Sequence, residues 1–186
     1  MSELLSILVD EARAAAGEAD PSDALRRVLA DTLYDCAAMA DAIAAQPEDE
    51  VLLFEDVTCS IWSCRYDADV VLPPHEHCMT VHIAVYRGTE VEVLYRRQSD
   101  GLSFGGTTAV EAGSLLTLGP EAVHAVTADN KGQDNGQSHA IHIYEGPLTQ
   151  VKRSLFNWED GGAVEFTMAN FRAMMRKRAD MPELSG

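Results

Sequence analysis

The sequence predicts a mainly β protein, a sandwich or barrel of short strands with helices at both ends. Between residues 50 and 157, short runs rich in Val, Ile and Tyr alternate with turns that contain Gly or Pro. Many short strands between such turns are typical of all-β sandwiches and barrels. Apolar residues before residue 48 recur at helical spacing instead, and a further helical pattern follows residue 158.

The first region, residues 2–46, is predicted to be helical. An apolar stripe at helical spacing occupies Leu4–Ala12. Asp20 and Pro21 then mark a helix start, because Asp caps helix N-termini and Pro fits the first helical position. Pro47 ends the region. It contains no motif with a recognisable chemistry, and we expect it to pack against the strands that follow.

Strands and a last helix are predicted after residue 50. We expect a single domain in three parts: a helical extension at 1–48, a β-barrel at 50–157 and a C-terminal segment with a helix at 158–186. That helix is predicted over Thr167–Arg178, where Phe171 and its apolar neighbours form one face. The predicted strands are Val57–Tyr66, Val70–Leu72, Val81–Tyr86, Val91–Arg96, Ser114–Leu118, Val123–Thr127 and His139–Tyr144.

Composition excludes two classes of partner. The chain has 30 acidic and 14 basic residues in 186, which gives a formal net charge of −16. Without a basic stripe it is not expected to bind the phosphate backbone of nucleic acids. No apolar run approaches the ~20 residues of a membrane span, so we expect no membrane insertion.

The cysteines favour a reducing compartment. There are four, at irregular spacing, in a chain long enough to form its own core. The N-terminus has no basic stretch followed by an apolar one, as a secretion signal would have. We therefore expect a cytoplasmic protein without disulfides.

Three histidines form a candidate metal site. His75 and His77 are two residues apart, just before a predicted strand, and residues i and i+2 of an extended chain point to the same side. His124 follows a Gly-Pro turn and opens another strand, so it can supply a third nitrogen. Imidazoles bind iron, zinc, copper and nickel, so these histidines do not select the metal.

The residues around these histidines resemble the cupins, and within them the cysteine dioxygenase-like and 3-mercaptopropionate dioxygenase-like proteins. Pro74–His77 with Val85–Gly88 is similar to the first cupin motif, and Gly113–His124 to the second. Ala140–Leu148 resembles the strand that follows in thiol dioxygenases. The resemblance covers about residues 70–156. It implies a double-stranded β-helix, the jelly-roll barrel of cupins.

The resemblance also implies a ligand set. Many metal cupins add a glutamate four or five residues after the His-x-His motif, where this chain has Val81 and His82. Three histidines without an acid are typical of thiol dioxygenases, which leave metal positions open for a thiolate and for O2. The implied ligands are therefore His75, His77 and His124, and the implied metal is one iron(II), with zinc, nickel or manganese as alternatives.

Further site residues follow from the same resemblance. Thiol dioxygenases contain a Ser-His-Tyr relay, which corresponds here to Ala140, His142 and Tyr144, so the serine is missing. His142 and Tyr144 are the implied catalytic residues. Arg153 lies nine residues after Tyr144, where mercaptopropionate-type members bind the substrate carboxylate. A surface position for Arg153 is the alternative. The cysteine that some members crosslink to this tyrosine corresponds to Val81, so no crosslink is expected.

The predicted function is therefore oxidation of a small thiol to a sulfinate by an iron(II) dioxygenase, with a small-molecule substrate and O2 as its partners. Two alternatives remain open. One is a metal cupin of different chemistry, such as a diketone-cleaving dioxygenase, and the other is a non-catalytic cupin that senses a small ligand or a metal. A homodimer is also left open. His82 and His139 alternate away from the predicted ligands and are expected to be structural or surface residues.

Overall fold

A computed structural model describes residues 1–129 and 136–181 of the chain. Three helices precede the strands, and a fourth lies near the C-terminus. None of these helices is long and apolar enough to cross a membrane. The helices are α1 (Glu3–Ala15), α2 (Pro21–Thr32), α3 (Cys36–Ala44) and α4 (Met168–Met174), with one-turn 3-10 helices at Leu33–Asp35 and Arg178–Asp180.

Thirteen strands are assigned in the described residues, most of them short. The strands are β1 (Glu50–Glu55), β2 (Ser60–Asp67), β3 (Val70–Val71), β4 (His75–Glu76), β5 (Val81–Arg87), β6 (Thr89–Gln98), β7 (Gly101–Glu111), β8 (Ser114–Leu118), β9 (Val123–Ala128), β10 (Gln137–Tyr144), β11 (Ser154–Phe156), β12 (Ala163–Glu165) and β13 (Arg176–Lys177).

The strands form two antiparallel sheets that enclose a barrel. The first sheet has the order β1-β2-β10-β5-β8, and the second has the order β12-β11-β4-β9-β6-β7. β13 and β3 pair in a small separate sheet. From β4 to β11 the chain crosses from one large sheet to the other at every step except the β6–β7 hairpin, which is the cupin-like double-stranded β-helix. The predicted fold class, mainly β with helices at both ends, is confirmed.

The N-terminal helices cover the outer face of the first sheet. Asp20 caps α2 as predicted, since its carboxylate accepts a hydrogen bond from the backbone N–H of Asp23 at 3.2 Å. Leu25 and Leu29 of this helix are fully buried. They belong to one apolar cluster with Ile141 of β10, whose side chain points out of the barrel. The outer face of the first sheet is therefore largely apolar, and the cover of helices keeps it from water.

The barrel interior contains the even-numbered residues of β6, β9 and β10 and the odd-numbered residues of β5. On β10 and β5 the register pairs His142 with Ile83 and Tyr144 with Val81, so both site residues point inward. On β9 and β6 it pairs His124 with Leu94. Because side chains alternate along a strand, this register places the site residues of both sheets in one interior space.

Several predicted boundaries differ from those observed. Val57 was predicted to open a strand, but it lies 82% exposed in the turn before β2. The strands β1, β4, β7, β11, β12 and β13 were not predicted. Gly105, predicted to lie in a turn, is the extra residue of a β-bulge in β7. The predicted helix Thr167–Arg178 is confirmed in part, since α4 ends at Met174. The division into three parts stays a prediction, and residues 182–186 of its last part lie outside the described residues.

We expect the N-terminal helices and the barrel to unfold together. Leu29→Ala should lower the free energy of unfolding by about 2–5 kcal/mol, because it opens a cavity where helix and sheet meet. Tyr34 is 98% exposed, so Tyr34→Ala should change the same quantity by less than about 0.5 kcal/mol. Denaturant unfolding, followed by circular dichroism and tryptophan fluorescence, measures both. Two separate transitions would show that the helices are an independent unit.

Candidate metal centre

Three histidine side chains converge inside the barrel. His75 belongs to β4 and His124 to β9, and the antiparallel register makes them direct partners. His77 follows two residues after His75, on the same side of the chain. The Nε2 atom of His77 lies 3.1 Å from Nε2 of His75 and 3.4 Å from Nε2 of His124. Cross-strand pairing and i, i+2 spacing together therefore bring three ring nitrogens to one point.

Two of the three rings are fixed by a hydrogen bond from their other nitrogen. His75 donates from Nδ1 to the carbonyl oxygen of Pro73 at 2.9 Å. Nδ1 of His124 contacts the carboxylate of Glu92. A carbonyl or carboxylate oxygen accepts, so the proton of each ring lies on Nδ1 and Nε2 presents a lone pair. Such partners behind the ligating ring set the tautomer in protein metal sites.

The environment keeps the free imidazoles of His75 and His77 neutral. Burial, with the neighbouring His124, holds the pKa of both His75 and His77 well below the ordinary value of 6.5. Neutral imidazole is the form that binds a metal ion, so this environment favours ligation.

The geometry of the nitrogens fits a bound metal ion. Metal–nitrogen bonds of about 2.0–2.1 Å at right angles place two ligand nitrogens about 3 Å apart. The separations of 3.1 and 3.4 Å are close to this value, and all three ligand atoms lie within 4.8 Å of one another. Without a cation, lone pairs would face each other at this separation. The three residues form the one group of metal-binding side chains found in the described residues, and no carboxylate belongs to it. A three-histidine site is thus available for one metal ion, whose identity the ligands do not select.

A second set of side chains approaches the centre from the first sheet. The Tyr144 ring lies edge-to-face with the His77 ring, with the ring centroids 4.8 Å apart. Its hydroxyl is 3.3 Å from Nδ1 of His142. Nε2 of His142 is 3.1 Å from a carboxylate oxygen of Glu90. The sequence-predicted residues His142 and Tyr144 therefore meet beside the metal centre, together with an acid that was not predicted.

A cavity of about 630 Å³ opens onto this group. His75, His77 and Tyr144 form part of its wall, and β2 contributes aromatic and thiol side chains. The remaining lining includes charged residues of both signs, among them Glu50 and Arg153. A volume of this size suits a small-molecule ligand.

Arg153 lies half-buried in the cavity wall. Its guanidinium stacks over the Phe166 ring, with Cζ 3.4 Å from the ring centroid. No carboxylate within residues 1–129 and 136–181 forms an ion pair with it. Burial lowers its pKa, an effect opposed by Tyr144 and Glu50. The structure therefore places Arg153 at the cavity, whereas the alternative from the sequence was an exposed position.

Sequence reasoning missed Glu90 and Glu92. Both are fully buried, and both lie on β6 with side chains directed into the barrel. The segment Glu90-Val91-Glu92-Val93 alternates acid with valine, which on its own predicts a strand with its acids in water. The sequence could have indicated buried acids only if this pattern had been considered together with the predicted interior histidines, because buried acids need partners.

The two other histidines considered lie outside the barrel interior. His82 is fully buried beneath the helices, where Nδ1 is 2.9 Å from the Thr117 hydroxyl and Nε2 is 2.9 Å from a Glu145 oxygen. His139 contacts the carbonyl oxygen of Ala40 in α3 through Nδ1 at 3.1 Å. Both histidines thus anchor the helical layer or the outer face, as their alternation predicts.

No protein-family model matches the chain, and no curated protein matches it in sequence. Similar solved structures include a protein from Bacillus halodurans, at 14% identity and a TM-score of 0.47 over 58% of this chain and 77% of that one. Another is an uncharacterized conserved protein with a double-stranded beta-helix domain from Klebsiella pneumoniae. It has 15% sequence identity and a TM-score of 0.42, over 59% of this chain and 86% of that one. An 11S globulin from Wrightia tinctoria matches with 12% sequence identity and a TM-score of 0.42, over 54% of this chain but 23% of the globulin. Likenesses this distant carry no argument about function.

Metal binding should depend on His124 and not on His139. His124→Ala removes one of three converging nitrogens, so metal content after loading and desalting should fall sharply. His139→Ala removes an imidazole that contacts α3, and metal content should stay near that of the unmodified protein. Elemental analysis measures both, with circular dichroism as the check on folding. Equal loss in the two variants would refute the ligand assignment.

Glu92 should strengthen metal binding through His124. Glu92→Gln weakens the acceptor for the Nδ1 proton, and loss of such a partner lowers metal affinity by about 10–100-fold. Competition with a chelating dye measures the affinity. The matched control is Glu145→Gln, which alters a carboxylate–histidine pair beneath the helices and should leave the affinity unchanged. An unchanged affinity in Glu92→Gln would show that the contact does not act on the metal.

Proposed function

We propose that this chain is a metal-dependent oxidoreductase, an iron(II) dioxygenase that combines a small thiol carboxylate with O2 to form a sulfinate. The observation that supports this most is the three-histidine group without a carboxylate. Three neutral imidazoles do not balance the positive charge of a metal ion and leave coordination positions free. An anionic substrate such as a thiolate could supply the balancing charge and bind at those positions. When bound, iron(II) would supply the point at which the thiolate and O2 meet.

Arg153 is the proposed partner of the substrate carboxylate. Its guanidinium is half-buried, faces the cavity and is without a carboxylate ion pair in the described part of the chain. Stacking on Phe166 fixes the plane of the guanidinium, and a fixed fork matches the two oxygens of a carboxylate. A substrate held at Arg153 would extend from the cavity wall toward the histidines.

Tyr144 is the proposed hydrogen-bonding residue at the reacting atoms. Its ring packs against the His77 ring and its hydroxyl contacts His142. Burial raises the pKa of Tyr144 well above 10, so at neutral pH it remains a phenol, whose hydroxyl can donate one hydrogen bond and accept others. The role of His142 is to hold this hydroxyl in place.

The proposed compartment is a reducing cytoplasm. All four cysteines are free thiols, and two of them, Cys59 and Cys64, are buried. An enzyme for small thiols also requires a compartment in which its substrates stay reduced.

The proposed activity should appear as oxygen consumption by anaerobically iron-loaded protein. We expect uptake with cysteine or 3-mercaptopropionate, and mass spectrometry should show a product two oxygen atoms heavier than the thiol. Uptake with acetylacetone alone would assign a diketone-cleaving reaction instead. No uptake with cysteine, 3-mercaptopropionate, cysteamine, mercaptosuccinate or acetylacetone, with iron retained, would favour the non-catalytic alternative.

Loss of the carboxylate partner should follow substitution of Arg153. Arg153→Ala should lower kcat/KM for a carboxylated thiol by roughly 10–100-fold, the value of a charge-assisted hydrogen bond. Arg153→Lys keeps the charge but not the fork, and an intermediate loss is expected. Arg176 pairs with Glu159 and does not line the cavity, so Arg176→Ala is the control. An equal effect on cysteamine, which has no carboxylate, would contradict this role for Arg153.

A further inference from the structure

Glu90 is a buried acid that the metal centre alone does not explain. It is fully buried, as is Glu92, two residues along the same strand. The carboxylate of Glu92 contacts the metal-site histidine His124. The carboxylate of Glu90 contacts His142, which lies outside the three-histidine group. An unpaired carboxylate in the barrel interior is strongly destabilising. Glu90 therefore needs a partner that donates a hydrogen bond to it.

The contact joins the two sheets across the barrel. Glu90 belongs to β6 of the second sheet, and His142 belongs to β10 of the first. Nε2 of His142 lies 3.1 Å from one oxygen of Glu90 and 3.3 Å from the other. On the far side of the ring, Nδ1 lies 3.3 Å from the Tyr144 hydroxyl. Tyr66 packs edge-to-face on the same ring, with the centroids 5.8 Å apart. The ring is thus held on three sides.

This arrangement restricts which nitrogen of His142 carries the proton. An ionised carboxylate has only acceptors. A lone pair on Nε2 would face those acceptors and be repelled, whereas a proton on Nε2 is attracted. Building on the function proposed above, we propose that Glu90 is a positioning residue: it keeps the proton on Nε2 of His142 and thereby aligns Nδ1 with the Tyr144 hydroxyl beside the metal centre.

The logic resembles that of an acid behind a catalytic histidine. In serine hydrolases, an acid fixes the tautomer and orientation of the histidine without becoming protonated itself, and loss of that function is costly. Here Glu90 acts on His142, and His142 acts on Tyr144. Only Tyr144 reaches the cavity wall among these three residues, so Glu90 acts through the others and not on the substrate.

The direct test is the protonation state of the His142 nitrogens. Zinc-loaded protein labelled with ¹⁵N-histidine is suited to this, because zinc is diamagnetic. Long-range ¹H–¹⁵N spectra at pH 8 distinguish protonated from unprotonated ring nitrogens. His142→Gln assigns the signals. Burial raises the pKa of Glu90 to about 7, so at pH 8 the carboxylate is the major form. We expect a protonated Nε2; an unprotonated Nε2 would overturn the proposal.

Two substitutions of Glu90 separate the effect of its hydrogen-bond acceptor from the effect of its negative charge. Glu90→Leu removes the acceptor, and the Nε2 proton should no longer be fixed. In Glu90→Gln the neighbouring Glu92 can accept from the new amide, which leaves the amide oxygen to accept from His142, so Nε2 should stay protonated. Glu145→Leu is the matched control, since it removes a carboxylate from His82. It should leave the His142 signals and the activity unchanged.

The kinetic readout separates positioning from a purely structural role. Glu90→Leu should lower kcat by roughly 100-fold or more, the scale of a general acid–base contribution, while the metal content and KM stay near those of the unmodified protein. Glu90→Gln should retain most of kcat. Loss of metal from Glu90→Leu, or an unchanged kcat, would overturn the proposal.

Failure of the proposed function gives a different pattern. If no substrate supports oxygen uptake, the thiol dioxygenase assignment fails, but the spectra of the zinc-loaded protein still decide whether Glu90 fixes the proton on His142. A protonated Nε2 that is released by Glu90→Leu and retained by Glu90→Gln would support the positioning role without any assumption about the reaction. An Nε2 proton unaffected by Glu90→Leu would refute it.

Discussion

The buried contact between Glu92 and His124 is the interaction on which the candidate site depends. Both side chains are almost inaccessible to water, so neither would be stable there alone. The contact fixes the His124 ring and directs its Nε2 atom toward His77. Because His124 is the register partner of His75, the orientation of one ring constrains the others. The strand register of the second sheet therefore also determines the geometry of the three-histidine group.

The contact between Glu92 and His124 needs a barrel interior that excludes water. The N-terminal helices complete that barrel by covering the outer face of the first sheet. The inner face of the first sheet supplies His142 and Tyr144, while its outer face is apolar and includes Ile141 and Ile143. The helices cover that outer face, and His139 and His82 tie them to the sheet by polar contacts. The helices α1, α2 and α3 contribute no side chain to the cavity wall. They nevertheless support the site, because the low-dielectric interior that strengthens the carboxylate–histidine contacts exists only under this cover.

The sequence allowed the fold class, the helices and the converging histidines to be predicted, because each rests on a local rule: helical periodicity, turn residues, or the shared side of residues i and i+2. The features it did not predict depend on tertiary closure. Glu90 and Glu92 alternate with valines as on a solvent-facing strand, and only the closed barrel shows that their side is the inside. Gly105 was predicted to lie in a turn, although it is a bulge where a Cβ atom would come within 2.9 Å of the Leu94 carbonyl oxygen. Proximity to another strand decides both cases, and local pattern does not contain that information.

The two acids of β6 also explain how the halves of the site are kept in register with each other. The candidate ligands His75, His77 and His124 lie on or beside strands of the second sheet, whereas His142 and Tyr144 lie on the first. Glu92 contacts the first group and Glu90 the second, and the two are fixed relative to each other because they are two residues apart on one strand. A shift between the sheets would separate Glu90 from His142 and leave both buried groups unpaired, at a cost of several kcal/mol. The two-residue spacing of Glu90 and Glu92 on one strand, together with their contacts to His142 and His124, therefore limits how far the Tyr144 hydroxyl can move relative to the three-histidine group.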